Sequence, residues 1–233
     1  MIDYTPNGIQ KIRDIPLRER AYNQIKNLIL ANKLYPGQVL VIDHLASELG
    51  VSHTPVREAL AMLELDGLVS TTQHRNPRVV EISRSDIEEL YEMRMLVEPW
   101  AVIRSSIKLS VEQIEELDQD LQKAMEDAKI KDFNAHLYSD IKLHEMILSS
   151  TGNQLFWQLA SRVHDQSIRI RSLVEATGSE QDVIDIIYEH FEITRAIKAR
   201  DPYEAHEKLL AHLVLGRKRT LNALDLLPHP NGK

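Results

Sequence analysis

Asp140 and His144 stand four residues apart, a spacing that stacks a carboxylate and an imidazole on one face of a helix. His190 and His212 fall in two later helical runs, and antiparallel packing of such helices can carry both imidazoles to one interior point. One carboxylate and three imidazoles form a donor set for zinc, nickel, manganese or iron, with coordination positions left for water or a ligand oxygen. In a chain with ten histidines, the same Asp/His spacing also fits a plain surface hydrogen bond. The sequence has no cysteine, so any metal must be held by His, Asp or Glu, and disulfides and thiolate chemistry are excluded. An open metal site would also admit hydrolysis, with Glu145 or Glu189 as base, but no HExxH-like arrangement accompanies it.

A second group lies near the other end of the chain. Ser52, His53, Thr54 and Arg57 open a short helical run, and a helix entering the DNA major groove presents its N-terminal side chains to base edges. Arg57 can bond guanine in pairwise fashion or clamp a phosphate. Arg75 and Arg78, in the polar stretch Gln73-His74-Arg75-Asn76-Pro77-Arg78, can reach the backbone or minor groove. A small helical bundle with solvated arginines fits the same pattern.

The elements that must position these groups follow from periodicity. Leu17, Ala21, Ile25, Leu28 and Ile29 recur at helical spacing between Pro16 and Asn32, ahead of the turn Tyr35-Pro36-Gly37. A second helix is expected over Ile42–Leu49, stopped by Gly50, and a third through Thr54-Pro55-Val56-Arg57 to Leu65, capped by Ser52 or Thr54. Two strands, 68–72 and 79–82, flank the polar turn. Three helices and a hairpin describe a winged helix-turn-helix over residues 10–82. Beyond Ser83 the pattern is helical throughout: Ser85-Asp86 opens a helix to about Lys108 with a kink at Pro99, and Ser110 with Gln113 forms a capping-box pattern. Further helices are expected near 131–150, 153–176, 180–199 and 202–222, the last led by Asp201-Pro202. The fold class is therefore mainly α, with an all-helical bundle over residues 83–225.

Charge divides along the chain. Residues 1–82 carry nine basic and nine acidic side chains, so the net charge of −7 belongs wholly to the remainder. A neutral head can hold phosphates locally while an acidic body stays off the duplex. No run approaches the roughly 18 apolar residues of a membrane span, and the first residues lack a secretory apolar core, so a cytoplasmic protein is expected.

The string LASELGVSHTPVREALAMLELDGLV resembles the DNA-binding domain of the GntR family of regulators, which commonly read LA..LGVSRTPVREAL..LE..GLV. The resemblance implies DNA contacts by Ser52, Thr54 and Arg57. His53 stands where the family usually has arginine, Asp43 lies near another position that is often basic, and the wing segment HRNPRVV lacks the glycine family wings carry near the tip. DIKLHEMILSSTGN, followed by EHFEITRAIKARDPYEAHEKLLAHL, is similar to the FCD effector domain of the FadR subgroup. That similarity implies a divalent metal, zinc first, on Asp140, His144, His190 and His212, and a small carboxylate effector beside it. Arg94, one turn before Glu98 in MRMLVEPW, matches an R…E pattern of these domains and is the candidate effector contact, or else an intrahelical partner of Glu98. Of the weaker candidates Arg169 and Arg171, one is expected to face inward. His136, His164 and His206 match no ligand position and are expected at the surface or in hydrogen bonds. The implied protein is a homodimeric, ligand-responsive regulator, expected to be a repressor and not an enzyme, that binds double-stranded operator DNA. A metal that is itself the signal is the alternative. The resemblance spans roughly residues 15–222.

Overall fold

The computed structural model describes residues 15–71, 76–130, 132, 134–175 and 179–226. It divides into two compact units, one built from residues up to 29 with 35–80, the other from 30–34 with 81 onward.

In the first unit, α1 (Leu17–Leu30), α2 (Ile42–Leu49) and α3 (His53–Leu65) precede a small antiparallel hairpin of β1 (Val69–Ser70) and β2 (Arg78–Val79). Ala21, Ile25 and Ile29 of α1 are buried, as are Val56, Ala59, Leu60 and Leu63 of α3. Apolar residues three and four apart thus form the inner stripe of each helix. Gly50 ends α2 with φ 64°, a left-handed conformation that glycine adopts without penalty, and its amide donates to the Ser47 carbonyl. The hairpin is shorter than its sequence suggested. Val69 pairs with Val79 and Ser70 with Arg78, so Arg78 belongs to β2 and not to the turn. An isolated bridge from Val39 to Arg78 adds a third edge that the sequence did not announce.

The second unit holds α4 (Arg84–Lys108), α5 (Val111–Ala128), α6 (Asn134–Ser149), α7 (Gln154–Glu175), α8 (Glu180–Lys198) and α9 (Pro202–Leu226). Helix α4 is capped by Ser83, two residues before Ser85: Ser83 Oγ accepts from the Asp86 amide, and Asp86 accepts from the Ser83 amide. It then continues through Pro99 as one element. The same reciprocal box closes Ser110 with Gln113 and Ser179 with Asp182, while Asp201 accepts from the amides of Tyr203 and Glu204 at the start of α9. Arg200, with φ 57°, turns the chain between α8 and α9 and donates Nη1 to the carbonyls of Ser106 and Leu109, satisfying the exposed end of α4. No helix among the described residues is long and apolar enough to cross a membrane.

Helix α5 shows how the core forms. Ile114, Leu117, Leu121, Ala124 and Ala128 recur every three or four residues and are all buried, against α6 and α8. They join Leu143 and Ile147 of α6, Ile187 and Ile193 of α8, and Leu209 and Leu213 of α9 in one apolar cluster. This cluster fixes the helices that carry the candidate ligands. Leu121 is fully buried at its centre. Leu121→Ala should therefore lower the free energy of urea unfolding by about 2 to 5 kcal/mol. A loss under about 1 kcal/mol would mean that the site collapses around the missing atoms and that this cluster does not bear the unit's stability.

Candidate metal centre and nucleic-acid interface

Asp140 and His144 of α6, His190 of α8 and His212 of α9 converge. One donor atom from each lies within 4.8 Å of the other three, and all four residues are buried. The ring of His190 stands 4.7 Å from that of His212 and 5.8 Å from that of His144, centre to centre. Asp140 Oδ1 is 3.2 Å from His190 Nε2 and 3.7 Å from His144 Nε2. The 3.2 Å approach lacks hydrogen-bond geometry, and both ring nitrogens of His190 are buried with no hydrogen-bond partner. Buried polar atoms left in this way are costly in a folded protein unless something else satisfies them.

Carboxylates hold two of the imidazoles from behind. Glu98 Oε2 of α4 lies 2.5 Å from His144 Nδ1, and Glu189 Oε2 of α8 lies 2.8 Å from His212 Nδ1. A proton on each Nδ1 serves those bonds and leaves each Nε2 lone pair for a ligand, the arrangement by which carboxylates orient metal-binding histidines. Each carboxylate is paired in turn: Arg94 Nε donates to Glu98 Oε1 at 2.6 Å, Arg219 Nη2 to Glu189 Oε1 at 2.5 Å, and Arg171 Nη1 to Asp140 Oδ2. Burial alone would raise these carboxyl pKa values. The Arg94 guanidinium and His144 nonetheless hold Glu98 well below the usual carboxylate range, Arg171 does the same for Asp140, and His212 with Arg219 holds Glu189 at about 2. Burial pushes the imidazoles the other way, His144 well below its ordinary value and His212 to about 4. For Asp140, His144 and His212 these shifts favour an ionised carboxylate and neutral imidazoles, the protonation state that a divalent cation requires.

The donors fit such an ion. With ligand bonds near 2.1 Å, donors in one coordination sphere lie at most about 4.2 Å apart, so side-chain shifts under about 1 Å would close this set on a cation. Beside it opens a cavity of about 50 Å³, measured as the space in which the centre of a water-sized sphere can move, lined in part by Arg94, His136, Asp140, Arg171, His212 and Arg219. Tyr91 Oη and Thr220 Oγ1, 2.9 Å apart, complete one wall.

Several of these groups were hidden or misplaced in the sequence. Arg94 is the intrahelical partner of Glu98 and also lines the cavity. His136 and His164 are buried and not at the surface, whereas His206 is the half-exposed partner of Glu207. Helical spacing could have placed His136, because His136, Asp140 and His144 follow at intervals of four on one face of α6. Arg169 and Arg171 are both buried, but only Arg171 reaches Asp140. Arg219 escaped notice although it sits two helical turns beyond His212. Glu189, a candidate base for hydrolysis, is engaged by His212 and Arg219.

In the first unit, Ser52, His53, Thr54 and Arg57 are exposed together at the N-terminal end of α3. Ser52 occupies the N-cap position, but its hydroxyl makes no capping bond, and none is made by Thr54, which lies inside the helix; the Ser52 hydroxyl is thus not committed to the helix end. His53 Nε2 lies 3.2 Å from Asp43 Oδ1, joining the two positions at which the sequence departs from the family pattern. Both side chains are more than half exposed, so the pair adds little stability and serves at most to orient the imidazole. Arg78 is exposed on β2 and donates to the Gly37 carbonyl at 3.2 Å. Arg75 lies outside the described residues.

Comparison with known proteins agrees with both halves of this description. The pattern described as bacterial regulatory proteins of the gntR family matches residues 17–79, and the FCD domain pattern matches residues 89–215. The HTH-type transcriptional regulator YdhC of Bacillus subtilis is 27% identical over 82% of this chain and 85% of its own length. The gluconate operon transcriptional repressor of the same organism is 26% identical over 78% and 76%. Among solved structures, McbR/YncC of E. coli superposes with a TM-score of 0.79 at 20% identity, covering 90% of this chain and 99% of that one, which supports the fold. The chain belongs to the GntR family of DNA-binding transcriptional regulators, and its helical unit is an FCD domain of the kind that defines the FadR subgroup.

Proposed function

We propose that the chain is a cytoplasmic, homodimeric repressor whose residues 10–82 bind operator DNA and whose residues 83–225 bind a small carboxylate beside a divalent metal, zinc first, on Asp140, His144, His190 and His212. The observation that carries this reading is the buried imidazole of His190, neither of whose nitrogens makes a hydrogen bond, among three further donors and next to an arginine-lined cavity. A bound ion there would supply Lewis acidity toward a carboxylate oxygen. The chain's own residues do the rest. Glu98 and Glu189 fix the His144 and His212 rings, and Arg94, Arg171 and Arg219 offer guanidinium donors for the acid. Repression is the reading favoured by the gluconate operon relative named above. The effector acts only through a difference in affinity for DNA-competent and DNA-released states, whichever contacts produce it. A metal that is itself the signal remains the second reading, favoured by the completeness of the protein donor set. Gel shifts with chelator alone, and with organic acids added to metal-loaded protein, separate the two.

On the DNA side, Ser52, His53, Thr54 and Arg57 make the base and phosphate contacts in this proposal, with Arg75 and Arg78 on the backbone. Arg57→Ala should weaken operator binding by about 5-fold to 150-fold, the range for losing one specific arginine contact. Metal content and dimer mass should stay unchanged. Undiminished affinity in a gel shift removes Arg57 from the interface.

For the metal, stabilisation by a ligand grows with its concentration over Kd and reaches about 4 kcal/mol at a thousandfold excess. Chelation should then lower the melting temperature by roughly 10 °C, and zinc should restore it. An identical melting curve in chelator, with no metal found by native mass spectrometry, contradicts the assignment.

The pH dependence has a defined sign. Burial pushes His136 and His164 down to about 4, whereas an exposed histidine of the unfolded chain titrates near 6.5. Between those values the unfolded chain binds protons that the folded chain refuses. The stability these groups confer is complete above about pH 6.5 and is lost as pH falls toward 4. In metal-free protein, His164→Gln should flatten that decline by up to about 1.4 kcal/mol per pH unit. Parallel stability curves for the variant and the parent would show that His164 does not titrate differently on folding.

A further inference from the structure

One wall of the cavity beside the four candidate ligands has a fixed hydrogen-bonding sense. Tyr91 of α4 and Thr220 of α9 are both buried, and Tyr91 Oη lies 2.9 Å from Thr220 Oγ1. Taken alone, that bond could run in either direction. Thr220, however, donates its proton to the Gly216 carbonyl, one helical turn earlier, at 2.8 Å. A hydroxyl carries one proton, so Thr220 can only accept from the phenol. The relay therefore runs from Tyr91 to Thr220 to the α9 backbone, and Tyr91 Oη keeps lone pairs but no proton for the cavity.

The phenol is held in this position from two sides. The guanidinium carbon of Arg94 lies 5.0 Å from the centre of its ring, and a Cβ placed on Gly216 would stand 3.1 Å from Tyr91 Oη and 3.3 Å from Cε1. Glycine at position 216 is what lets the α9 backbone come so close. Other groups of the wall have the opposite sense. Arg94, Arg171 and Arg219 line the same cavity and can only donate, and Arg171 Nη2 is buried without a hydrogen bond. A free donor and a committed acceptor thus border one space.

We propose that Tyr91 is a specificity-determining residue that reads an alcohol on the effector, so that the acid bound here is a hydroxy acid whose O–H donates to Tyr91 Oη while its carboxylate accepts from the arginines. The inference rests on the carboxylate reading above and adds which carboxylates are chosen. A plain acid leaves the phenol oxygen without a donor, and an oxo acid sets a carbonyl oxygen against its lone pairs. Either mismatch strands a buried polar group, which is how a site built to bond a hydroxyl rejects an analogue that lacks one.

Isothermal titration of the zinc-loaded full-length protein uses two matched series as probes: propionate, lactate, 3-hydroxypropionate and pyruvate, and glutarate with its 2-hydroxy, 3-hydroxy and 2-oxo derivatives. In the wild type, a hydroxy acid should bind at least about 5-fold more tightly than the plain and the oxo acid of its series. A metal ion can also take an alcohol oxygen, so the variants carry the decision. Tyr91→Phe should bring the hydroxy and plain acids to within about 2-fold of each other. Thr220→Val removes the acceptor of the relay and frees the phenol proton for the cavity, so preference should move from the hydroxy acid toward the oxo acid. Lost packing alone would not produce that reversal. If Tyr91→Phe is poorly folded, Thr220→Val decides. A hydroxy-acid preference unchanged in both variants overturns the role of Tyr91, gives the alcohol to the metal or to His136, and leaves the carboxylate reading intact. A wild-type preference for the plain or oxo acids overturns the hydroxy-acid assignment in the same way. Binding of no acid from either series overturns the carboxylate reading together with this inference.

Discussion

Removing charge from water is the constraint that organises the helical unit. A carboxylate taken into a protein interior loses several kcal/mol of hydration and is retained only where partners surround it. Asp140, Glu98 and Arg94 are buried, and around them the chain arranges Arg171, Arg219, Glu189 and three imidazoles, so that the centre draws on α4, α6, α7, α8 and α9. Nearly every charge has an opposite charge at hydrogen-bond distance. Within the candidate ligand set it is His190 whose two nitrogens are sealed in the interior without a hydrogen bond. A structure that satisfies its buried carboxylates so fully and leaves that imidazole unsatisfied has the organisation of a ligand-binding centre. The apolar cluster of α5, α6, α8 and α9 holds the surrounding backbone in place.

The same helix serves two surfaces. On its inner side α4 contributes Arg94 and Glu98, which reach His144 and the cavity. On its outer side Met93, Leu96, Trp100, Ile103 and Ile107 are exposed. Residues 93 to 107 thus alternate between Arg94 and Glu98, which face His144, and exposed apolar side chains on the opposite side, which is why α4 lacks the single polar face of an ordinary surface helix. Its C-terminal carbonyls, which would otherwise point unpaired toward the α4–α5 turn, are taken up by Arg200.

How much of this the sequence discloses depends on the range of each interaction. The four candidate ligands and the start of α3 were legible because local strings carry them: Asp140 and His144 share one turn, and Ser52 through Arg57 form one motif. Capping boxes at Ser110 and the Asp201 cap were legible for the same reason. The Glu98–His144 bond spans 46 positions and the Arg171–Asp140 pair spans 31, and no local pattern announces either. Helical spacing did offer His136, four residues before Asp140, as a third member of the α6 face. The wing was misread at its edges because Val80 and Ile82 look like strand residues, although pairing stops at Val79 and Arg78 joins the ladder. β-propensity reports a residue that suits a half-buried pleat, not where pairing ends.

The central claim is that Asp140, His144, His190 and His212 bind one divalent ion. Anomalous diffraction from crystals of the zinc-loaded protein, recorded on both sides of the zinc edge, tests it most directly. The account predicts a single edge-dependent peak within about 2.0 to 2.2 Å of an Asp140 oxygen and one nitrogen of each of the three histidines, with Glu98 and Glu189 still behind His144 and His212. No peak at that position, with His190 instead hydrogen-bonded to ordered water or to Asp140, would contradict it.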